Sequence, residues 1–292
     1  MKRSSREQEN KIILGVWIFV LAFLLLSCVI FLVKKPVTVS FIKIGQGDAA
    51  LISAGREGNV LIDGGDDGAG FLLKNYLELQ NVEELDGVFL SHFHKDHVNG
   101  ILELMLDGFP IKKLYLSEHP SHTELEEEML KLAEKQGIPI VRVKEGDILQ
   151  LGKATYRVIS QNPYTNEENL NDMSMILRVE YGESSVLFTG DMEKSGAGKL
   201  AEDQGEDLEA DVIKIPHHGG ASSLNREFLE AASPTWAVIS VGSNNYGMPS
   251  EVVLAELLAL HIGIYRTDRD GTVVVTLGKD GVRNISYTPQ WR

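Results

Sequence analysis

A cluster of imidazole and carboxylate side chains stands directly after an apolar segment of the chain. Residues 91–97 read Ser-His-Phe-His-Lys-Asp-His, which brings His92, His94, Asp96 and His97 into a stretch of six residues. Imidazole nitrogens and carboxylate oxygens are ligands of zinc and similar divalent ions, and a loop at the end of a strand lets such side chains converge. The alternative is a solvated loop with incidental histidines. We predict a metal site here, with Asp96 also acting in catalysis.

Two further groups of this kind follow later apolar segments. One apolar segment ends with Phe-Thr-Gly-Asp, in which the aspartate is Asp191. Another is followed by Pro-His-His-Gly-Gly, and its first histidine, His217, lies 26 residues after Asp191. A Gly-Asp pair after a strand is by itself more often a turn. Together with the histidines, it predicts a catalytic carboxylate whose two oxygens could bridge two ions. The sequence does not separate His217 from His218 as the ligand.

The segments that carry these groups alternate between strand and helix patterns. Short apolar segments bounded by turn residues predict strands, and a period near 3.6 predicts helices. The predicted strands are 37–44, 49–53, 60–62, 88–90, 138–143, 155–159, 175–181, 185–189, 212–215, 235–241 and 272–277. The predicted helices are 71–79, 98–106, 123–136, 225–232 and 252–260. No linker rich in Pro, Ser or charge interrupts residues 37–288, so we expect one domain, 36–292, of sheets covered by helices.

The N-terminal region has the pattern of a membrane anchor. Residues 12–33 form an apolar run of 22 residues without a charge, which is long enough as a helix to cross a hydrocarbon core of about 30 Å. We expect residues 1–35 to be a short cytoplasmic tail and a single transmembrane signal-anchor. Four basic residues precede the run and two follow it, which predicts an extracellular position for residues 36–292 at the cell membrane of a bacterium.

A lipid anchor is the alternative for the same region. Leu-Leu-Ser-Cys at residues 25–28 resembles a bacterial lipobox, whose cysteine would carry lipid after cleavage. The apolar run continues beyond Cys28, however, whereas a mature lipoprotein usually becomes polar there. Cys28 is the only cysteine, so we expect no disulfide and no thiolate metal ligand in the folded part.

The net charge of the chain limits the kinds of molecule that it can bind. The chain has 28 basic and 42 acidic side chains, of which the first 35 residues hold six and two, so residues 36–292 carry a formal net charge of −18. This balance argues against a broad electrostatic footprint for nucleic acid. Bound divalent cations would offset part of it locally. No protein partner is inferred.

The order His-x-His-x-Asp-His, Thr-Gly-Asp and His-His-Gly resembles the metallo-β-lactamase superfamily, and more narrowly the hydrolase domain of ComEC-like competence proteins. The narrower likeness rests on segments 44–49, 61–65, 171–174 and 265–271, and it covers about residues 37–278. The resemblance implies an α/β fold, a four-layer αββα sandwich, with two divalent metal ions at one edge. Zinc is the expected metal and manganese the alternative.

The resemblance also implies how the ligands divide between the two ions. His92 and His94 would bind the first ion. The ligands implied for the second ion are Asp96, His97 and His217. Asp191 would bridge the two ions, and His218 is either the alternative to His217 or a partner behind it. Asp63, within the matched segment 61–65, is a further candidate site residue.

The chain departs from the superfamily pattern at two places. Many members supply a third histidine to the first ion from the region that reads Asn171-Asp172-Met173-Ser174 here, so an Asn or Asp oxygen or water is expected to complete that shell. Such a shell favours a harder ion such as manganese. Relatives commonly have a histidine at the position of Met248, and Asn245 or Tyr246 would then be the donor to a phosphoryl oxygen.

The expected activity is hydrolysis of a phosphodiester, in nucleic acid or in a cell-surface polymer such as a choline-substituted one, because two metal ions suit this chemistry. The first alternative is a hydrolase of ester, thioester or amide bonds from another branch of the superfamily. The second alternative is a metal-containing module that binds a surface polymer without cleaving it.

Overall fold

The computed structural model describes residues 13–23, 36–161 and 169–288. The chain divides between Lys35 and Pro36 into two compact units, which are described separately. In the first unit, residues 13–23 are helical (α1). Among the described residues, no helix is both long enough and apolar enough to span a membrane. The predicted span 12–33 lies partly outside the described residues, and Cys28 lies wholly outside them, so both forms of anchor stay predictions.

The second unit is built from strands and helices that alternate along the chain. Its strands are β1 (Val37–Phe41), β2 (Ala50–Ser53), β3 (Asn59–Ile62), β4 (Gly87–Phe89), β5 (Leu114–Ser117), β6 (Ile140–Val143), β7 (Ile148–Leu151), β8 (Ala154–Gln161), β9 (Met175–Tyr181), β10 (Ser184–Phe188), β11 (Val212–Lys214), β12 (Trp236–Ile239), β13 (Gly263–Arg266), β14 (Val273–Gly278) and β15 (Gly281–Tyr287). Its helices are α2 (Ala69–Leu79), α3 (Lys95–Leu106), α4 (Glu124–Gln136), α5 (Lys194–Gln204), α6 (Arg226–Ala232), α7 (Glu251–Ala259) and α8 (Thr267–Asp270).

The strands form two mixed sheets. The first has the order β15-β14-β1-β2-β3-β4-β5-β6, and the second has the order β13-β12-β11-β10-β9-β8-β7. In the first sheet, β3 to β6 run parallel, and in the second, β10 to β13 run parallel. The other neighbours pair antiparallel. Parallel strands end at one common edge of a sheet, so their connections can assemble a site there.

The period of two along each strand separates two kinds of core. Val88 of β4 faces the helices α2, α3 and α4, whereas the next residue, Phe89, faces the second sheet. Phe89 stacks there on Tyr156 of β8, with ring centroids 5.3 Å apart, and Phe41 stacks on Phe188 at 5.6 Å. A third core joins α5, α6 and α7 to the outer face of the second sheet. The predicted four-layer αββα arrangement is therefore confirmed.

A close approach of two glycines fixes α3 against the turn that follows β3. A Cβ on Gly100 would lie 2.0 Å from the carbonyl oxygen of Gly64, so only glycine at position 100 allows this contact. The Gly64 amide donates to the carbonyl of His97 at 2.7 Å, and the Gly100 amide donates to that of Gly65 at 3.1 Å. The first turn of α3 is thereby held beside Asp63.

Several elements differ from the sequence prediction. Helix α3 begins at Lys95, so Asp96 and His97 lie in its first turn rather than in a loop before it. The elements that the prediction omitted are β5, β7, β13, β15, α5 and α8. Helix α5 reads Lys-Ser-Gly-Ala-Gly-Lys-Leu-Ala-Glu-Asp-Gln, whose two glycines weaken a helical pattern. Strand β15 is a largely exposed edge strand with little apolar alternation.

Candidate metal centre

The predicted site residues lie together at one edge of the sandwich. His92 and His94 follow β4, and Asp191 follows β10. The strand β11 is followed by the turn that contains His217 and His218. These three connections leave the carboxyl ends of parallel strands in the two sheets, which explains why residues distant in sequence meet here.

Four donors form the centre of the group. One donor atom from each of Asp96, His97, Asp191 and His218 lies within 4.8 Å of the others. His218 Nε2 is 3.1 Å from Asp96 Oδ2 and 3.5 Å from Asp191 Oδ2, and His97 Nε2 is 3.3 Å from Asp191 Oδ1. His97 Nε2 is buried without a hydrogen-bond partner. A buried imidazole nitrogen that faces a carboxylate without a hydrogen bond fits a divalent metal site.

His92 and His94 form a second pair of donors. His92 Nε2 and His94 Nδ1 are 3.0 Å apart, and the rings meet edge to face with centroids 4.8 Å apart. The outer nitrogen of His92, Nδ1, lies 3.0 Å from Ser91 Oγ and 3.4 Å from Ser174 Oγ. Both hydroxyls hold the ring so that Nε2 faces inward, which is the usual function of residues behind a metal ligand.

Asp63 supports the histidines from behind. Its carboxylate accepts hydrogen bonds from the Ser91 amide and hydroxyl, each at 2.7 Å, and lies 2.9 Å from His97 Nδ1. His218 Nδ1 is similarly 2.9 Å from the Ser240 carbonyl, which can only accept, so that nitrogen carries the proton. Both contacts leave Nε2 directed at Asp191. Donor atoms of Asp63, Asp48 and His97 also lie within 4.8 Å of one another. The oxygens of Asp63, however, already contact Ser91 and His97 Nδ1.

The two adjacent histidines after β11 point to different partners. His217 and His218 have φ angles of 47° and 53°, a left-handed conformation that is unfavourable for residues with a Cβ. The turn directs His218, and not His217, into the central group. His217 Nε2 is 4.0 Å from Asp191 Oδ2, while its Nδ1 is 3.9 Å from Glu193 Oε1. The expected assignment of His217 alongside Asp96 and His97 therefore differs from the observed geometry.

The segment that lacks the third histidine contributes in two ways. The Asp172 carboxylate accepts hydrogen bonds from the Glu193 amide at 2.9 Å and from Asn169 Nδ2 at 3.0 Å. It therefore stabilises the start of α5 and does not face the metal centre. Asn171 Nδ2 donates to Glu193 Oε1 at 3.3 Å, and its Oδ1 is buried without a partner. Glu193 is not predicted as a site residue from the sequence. Its position two residues after Asp191 is the feature that could have identified it.

The loop that carries Met248 forms part of the rim. Asn244 stabilises it, since its Oδ1 accepts from the Tyr246 and Met248 amides at 3.0 and 3.1 Å. Gln46 Nε2 lies 3.8 Å from Met248 Sδ. Asn245 is exposed, and Tyr246 is 77% exposed. The structure thus brings Gln46, rather than Asn245 or Tyr246, to Met248.

A buried lysine lies among the carboxylates. Lys214 is 2% exposed, donates to the Gly190 carbonyl at 2.7 Å, lies 3.4 Å from Asp191 Oδ1 and forms an ion pair with Asp48. Neither Lys214 nor its ion-pair partner Asp48 is predicted as a site residue from the sequence. A lysine inside the apolar segment 212–215 is nevertheless a sign of a buried anionic partner. An ammonium group here compensates carboxylates that would otherwise repel one another.

The surrounding charges divide the histidines into two kinds. Burial alone would lower the pKa of His218, but Asp191, Asp48 and Asp96 raise the pKa to about 10. Burial would also lower the pKa of His97, but the carboxylates of Asp191 and Asp63 raise it well above its ordinary value. Burial lowers the pKa of His92 and that of His217.

The carboxylates of the centre stay ionised for the complementary reason. Burial raises the pKa of Asp191, but His97, His218 and Lys214 bring it well below its ordinary value. Burial likewise raises the pKa of Asp48, but the charge of Lys214 outweighs it together with His218 and His97, and the pKa is lowered. Ionised carboxylates and imidazoles are the donor set of a divalent metal site.

Comparison with known proteins identifies related sequences. A sequence model of the metallo-β-lactamase superfamily matches residues 42–242. The ComE operon protein 3 of Bacillus subtilis (strain 168) is 32% identical over 254 residues, which is 80% of this chain and 32% of that protein. The competence protein ComA of Neisseria gonorrhoeae is 38% identical over 114 residues, 39% of this chain and 16% of that protein. The chain spans under a third of either relative, and the expected ComEC-like resemblance is confirmed.

Solved structures share the fold. The metallo-β-lactamase fold protein YhfI from Bacillus subtilis matches with a TM-score of 0.53 and 17% identity, covering 80% of this chain and 96% of that one. CmlA, a diiron β-hydroxylase from Streptomyces venezuelae, matches with a TM-score of 0.56 and 14% identity, covering 83% and 54%. At such identities the likeness shows the fold alone.

Replacing Lys214 by Met tests its role as a counter-charge. The variant keeps a side chain of similar length but leaves Asp48 and Asp191 buried without their cation. We expect the metal-free chain to lose about 3–5 kcal/mol of unfolding free energy in urea, the usual effect of removing one partner of a buried pair. Lys135→Met, at an exposed position of α4, is the control. Equal stability of the two variants in chelator would contradict this role.

The raised pKa values predict that metal binding releases protons. In the metal-free chain, the protonated forms of His97 and His218 contribute stability that is complete below pH 6.5, the ordinary histidine pKa. This stability is lost as pH rises through their raised pKa values, of which that of His218 is about 10. Metal ligands must be deprotonated. Calorimetric titration with Zn²⁺ at pH 7, in two buffers of different ionisation enthalpy, should give a net release of protons. Heats that do not depend on the buffer would contradict the prediction.

Proposed function

Because the chain belongs to the metallo-β-lactamase superfamily, we propose that this metal-dependent hydrolase cleaves phosphodiester bonds with two divalent ions at the centre around Asp191. The observation that carries the proposal is the position of this carboxylate. Its Oδ1 lies 3.3 Å from His97 Nε2, and its Oδ2 lies 3.5 Å from His218 Nε2 and 4.0 Å from His217 Nε2. Oδ2 thus lies near both His217 and His218, which suits a carboxylate shared between two ions.

Formal charge supports two ions rather than one. With neutral imidazoles, the carboxylates of Asp48, Asp63, Asp96 and Asp191 and the ammonium of Lys214 leave a net charge of −3 in the centre. One divalent ion would leave it at −1, which repels a phosphodiester anion. Two divalent ions would bring it to +1, or to zero if Glu193 beside His217 is also counted, so the site would no longer repel that anion. Zinc is the proposed metal, with manganese as the alternative.

The residues of the chain have separable roles in this reaction. Bound divalent ions would supply Lewis acidity toward water and a phosphoryl oxygen. Asp63 and the Ser240 carbonyl fix the tautomers of His97 and His218, so that each Nε2 faces Asp191. Lys214 keeps Asp191 ionised and in place. Preorganised groups of this kind stabilise developing charge without rearrangement during the reaction.

The proposed substrate is a phosphodiester in nucleic acid or in a cell-surface polymer. One relative is named a competence protein, and we take that name as support for DNA as the substrate. The net charge of −18 on residues 36–292 opposes long polyanions and favours a small or locally presented phosphodiester. Met248 carries no proton to donate, so Gln46 Nε2, 3.8 Å from its sulfur, is the proposed rim donor to the substrate.

We also propose that residues 12–33 anchor the chain in the bacterial cell membrane and that residues 36–292 act outside it. The apolar run and the excess of basic residues before it support this arrangement. Residues 13–23 within that run are helical. A membrane position would present the hydrolase to surface polymers or incoming DNA.

Replacing Asp96 by Asn tests the proposed activity. The amide keeps the size of the side chain but removes the charge that faces His218. We expect the full chain with Zn²⁺ or Mn²⁺ to hydrolyse bis-p-nitrophenyl phosphate, and the variant to lose about 10²-fold or more in kcat/KM, or about 2.7 kcal/mol. Glu134→Gln, on the exposed side of α4, should match the wild type.

Single-stranded DNA, double-stranded DNA and a thioester extend the same assay to the alternative substrates. Turnover of the thioester alone would contradict the phosphodiesterase proposal, and turnover of none would support the binding module instead.

The anchor is tested by topology reporters fused after residue 292. Alkaline phosphatase should be active in this fusion, because it folds only outside the cytoplasm, whereas green fluorescent protein should be dark when exported in unfolded form. The fusion should sediment with membranes, and removal of residues 1–35 should release it. A bright, soluble fluorescent fusion would contradict the proposal.

A further inference from the structure

The two groups of donors in the centre are unequally complete. Asp96, His97, Asp191 and His218 converge with one atom each inside 4.8 Å. His92 and His94 supply only two facing nitrogens, 3.0 Å apart. With the shared carboxylate of Asp191 the pair would supply three protein ligands, and one of the four tetrahedral positions would stay open to a fourth donor or to water.

His217 has the geometry of such a donor. Its Nε2 lies 4.0 Å from Asp191 Oδ2, a separation that suits two ligands of one ion, because each ligand lies about 2.0–2.2 Å from the metal. The imidazole is not part of the converged group around His218. Its side chain is 22% exposed, so it lines the open side of the centre rather than the core.

Glu193 stands behind His217 in the position of a supporting carboxylate. Its Oε1 lies 3.9 Å from His217 Nδ1 and accepts a hydrogen bond from Asn171 Nδ2 at 3.3 Å. His97 has a tighter form of this arrangement, with Asp63 2.9 Å from Nδ1 and Asp191 3.3 Å from Nε2, whereas the 3.9 Å separation at His217 is longer than a hydrogen bond. A histidine that binds metal through one nitrogen almost always gives its other N–H to such a partner.

Unsatisfied buried atoms also concentrate in this corner. His217 Nδ1 and Asn171 Oδ1 are both buried and both lack a hydrogen-bond partner. Asn171 is 9% exposed. Buried polar atoms without partners are rare and costly, and Glu193 Oε1 is the acceptor that His217 Nδ1 would reach after a small shift of the ring.

Ser174 connects this corner to the His92 side of the centre. Its hydroxyl accepts from the Asp191 amide at 2.9 Å and lies 3.4 Å from His92 Nδ1. The segment 171–174 therefore contacts His92 at one end and, through Asn171, Glu193 at the other. The segment thus links His92 to Glu193, the residue that lies behind His217.

We infer that His217, held by Glu193, is the third histidine ligand of the ion bound by His92 and His94. The inference rests on the proposed two-metal centre. The histidine that the superfamily often supplies from segment 171–174 is replaced by one from the turn after β11. Asp96, His97 and His218 hold the other ion, and Glu193 is a positioning residue that orients the His217 ring.

Metal stoichiometry in single and double variants tests this assignment. His217→Gly removes the imidazole and suits the left-handed backbone at that position, and Asp96→Asn weakens the other ion. We expect the purified full chain in detergent, dialysed against Mn²⁺ or Zn²⁺, to bind two ions. Each single variant should bind one ion and the double variant none. If His217 held the same ion as Asp96, the double variant would still bind one ion.

Glu193→Gln tests the positioning role separately. We expect it to keep two ions but to weaken the affinity of one by about tenfold to a hundredfold, while the thermal midpoint of the metal-free chain stays unchanged. Mn²⁺ electron paramagnetic resonance should show an exchange-coupled pair in the wild type and uncoupled Mn²⁺ in His217→Gly. His119→Gly, at an exposed site, is the control.

The outcomes separate this inference from the proposed activity. Two ions with wild-type affinities in His217→Gly, or a single ion in the wild type, would overturn the inference. Two ions in the wild type, one in His217→Gly and none in the double variant would support it even if no phosphodiester is cleaved, a result that would overturn only the proposed activity. An unchanged metal affinity in Glu193→Gln would remove Glu193 from the assignment.

Discussion

The carboxylates of Asp48, Asp63, Asp96 and Asp191 meet at one edge of the sandwich, and three of them are almost completely buried. Each buried charge carries an effective desolvation cost of several kcal/mol, and like charges in close contact add repulsion. Lys214 compensates part of this cost as a permanent cation between Asp48 and Asp191. His97 and His218 compensate a further part, because their raised pKa values favour the protonated form in the metal-free centre. Divalent cations would replace those protons and complete the neutralisation.

The fold supplies what this concentration of charge requires. Parallel strands from both sheets end at the same edge, so three loops meet without long connections. The amino end of α3 lies beside Asp96, where the helix dipole favours negative charge. The contact of Gly64 with Gly100 holds that helix end against Asp63. Stacked aromatic side chains between the sheets line a small cavity together with Asp48, Asp63 and Lys214, so the inner side of the centre is largely apolar. The acidic cluster is stable here because rigid elements hold every member.

Much of this arrangement could be predicted from the order of motifs along the chain. Ligand types at the ends of apolar segments predict the edge site, because strand ends converge whatever their separation in sequence. The division of His217 and His218 could not be predicted, since it depends on two left-handed φ angles. The roles of Lys214 and Glu193 could not be predicted either, because both act through partners that are distant in sequence. Helix α5 and the edge strand β15 lack the periodicity on which prediction depends, because packing and pairing stabilise them instead.

The central claim is that the buried charge of this site is balanced by two ions that share Asp191. Anomalous diffraction from crystals of the chain grown with Mn²⁺ tests it most directly. The account predicts two anomalous peaks about 3.5–4 Å apart, a spacing typical of two-metal hydrolases. One peak should adjoin His92, His94 and His217, and the other should adjoin Asp96, His97 and His218, with an oxygen of Asp191 at each. A single peak, or two peaks that do not share Asp191, would contradict it.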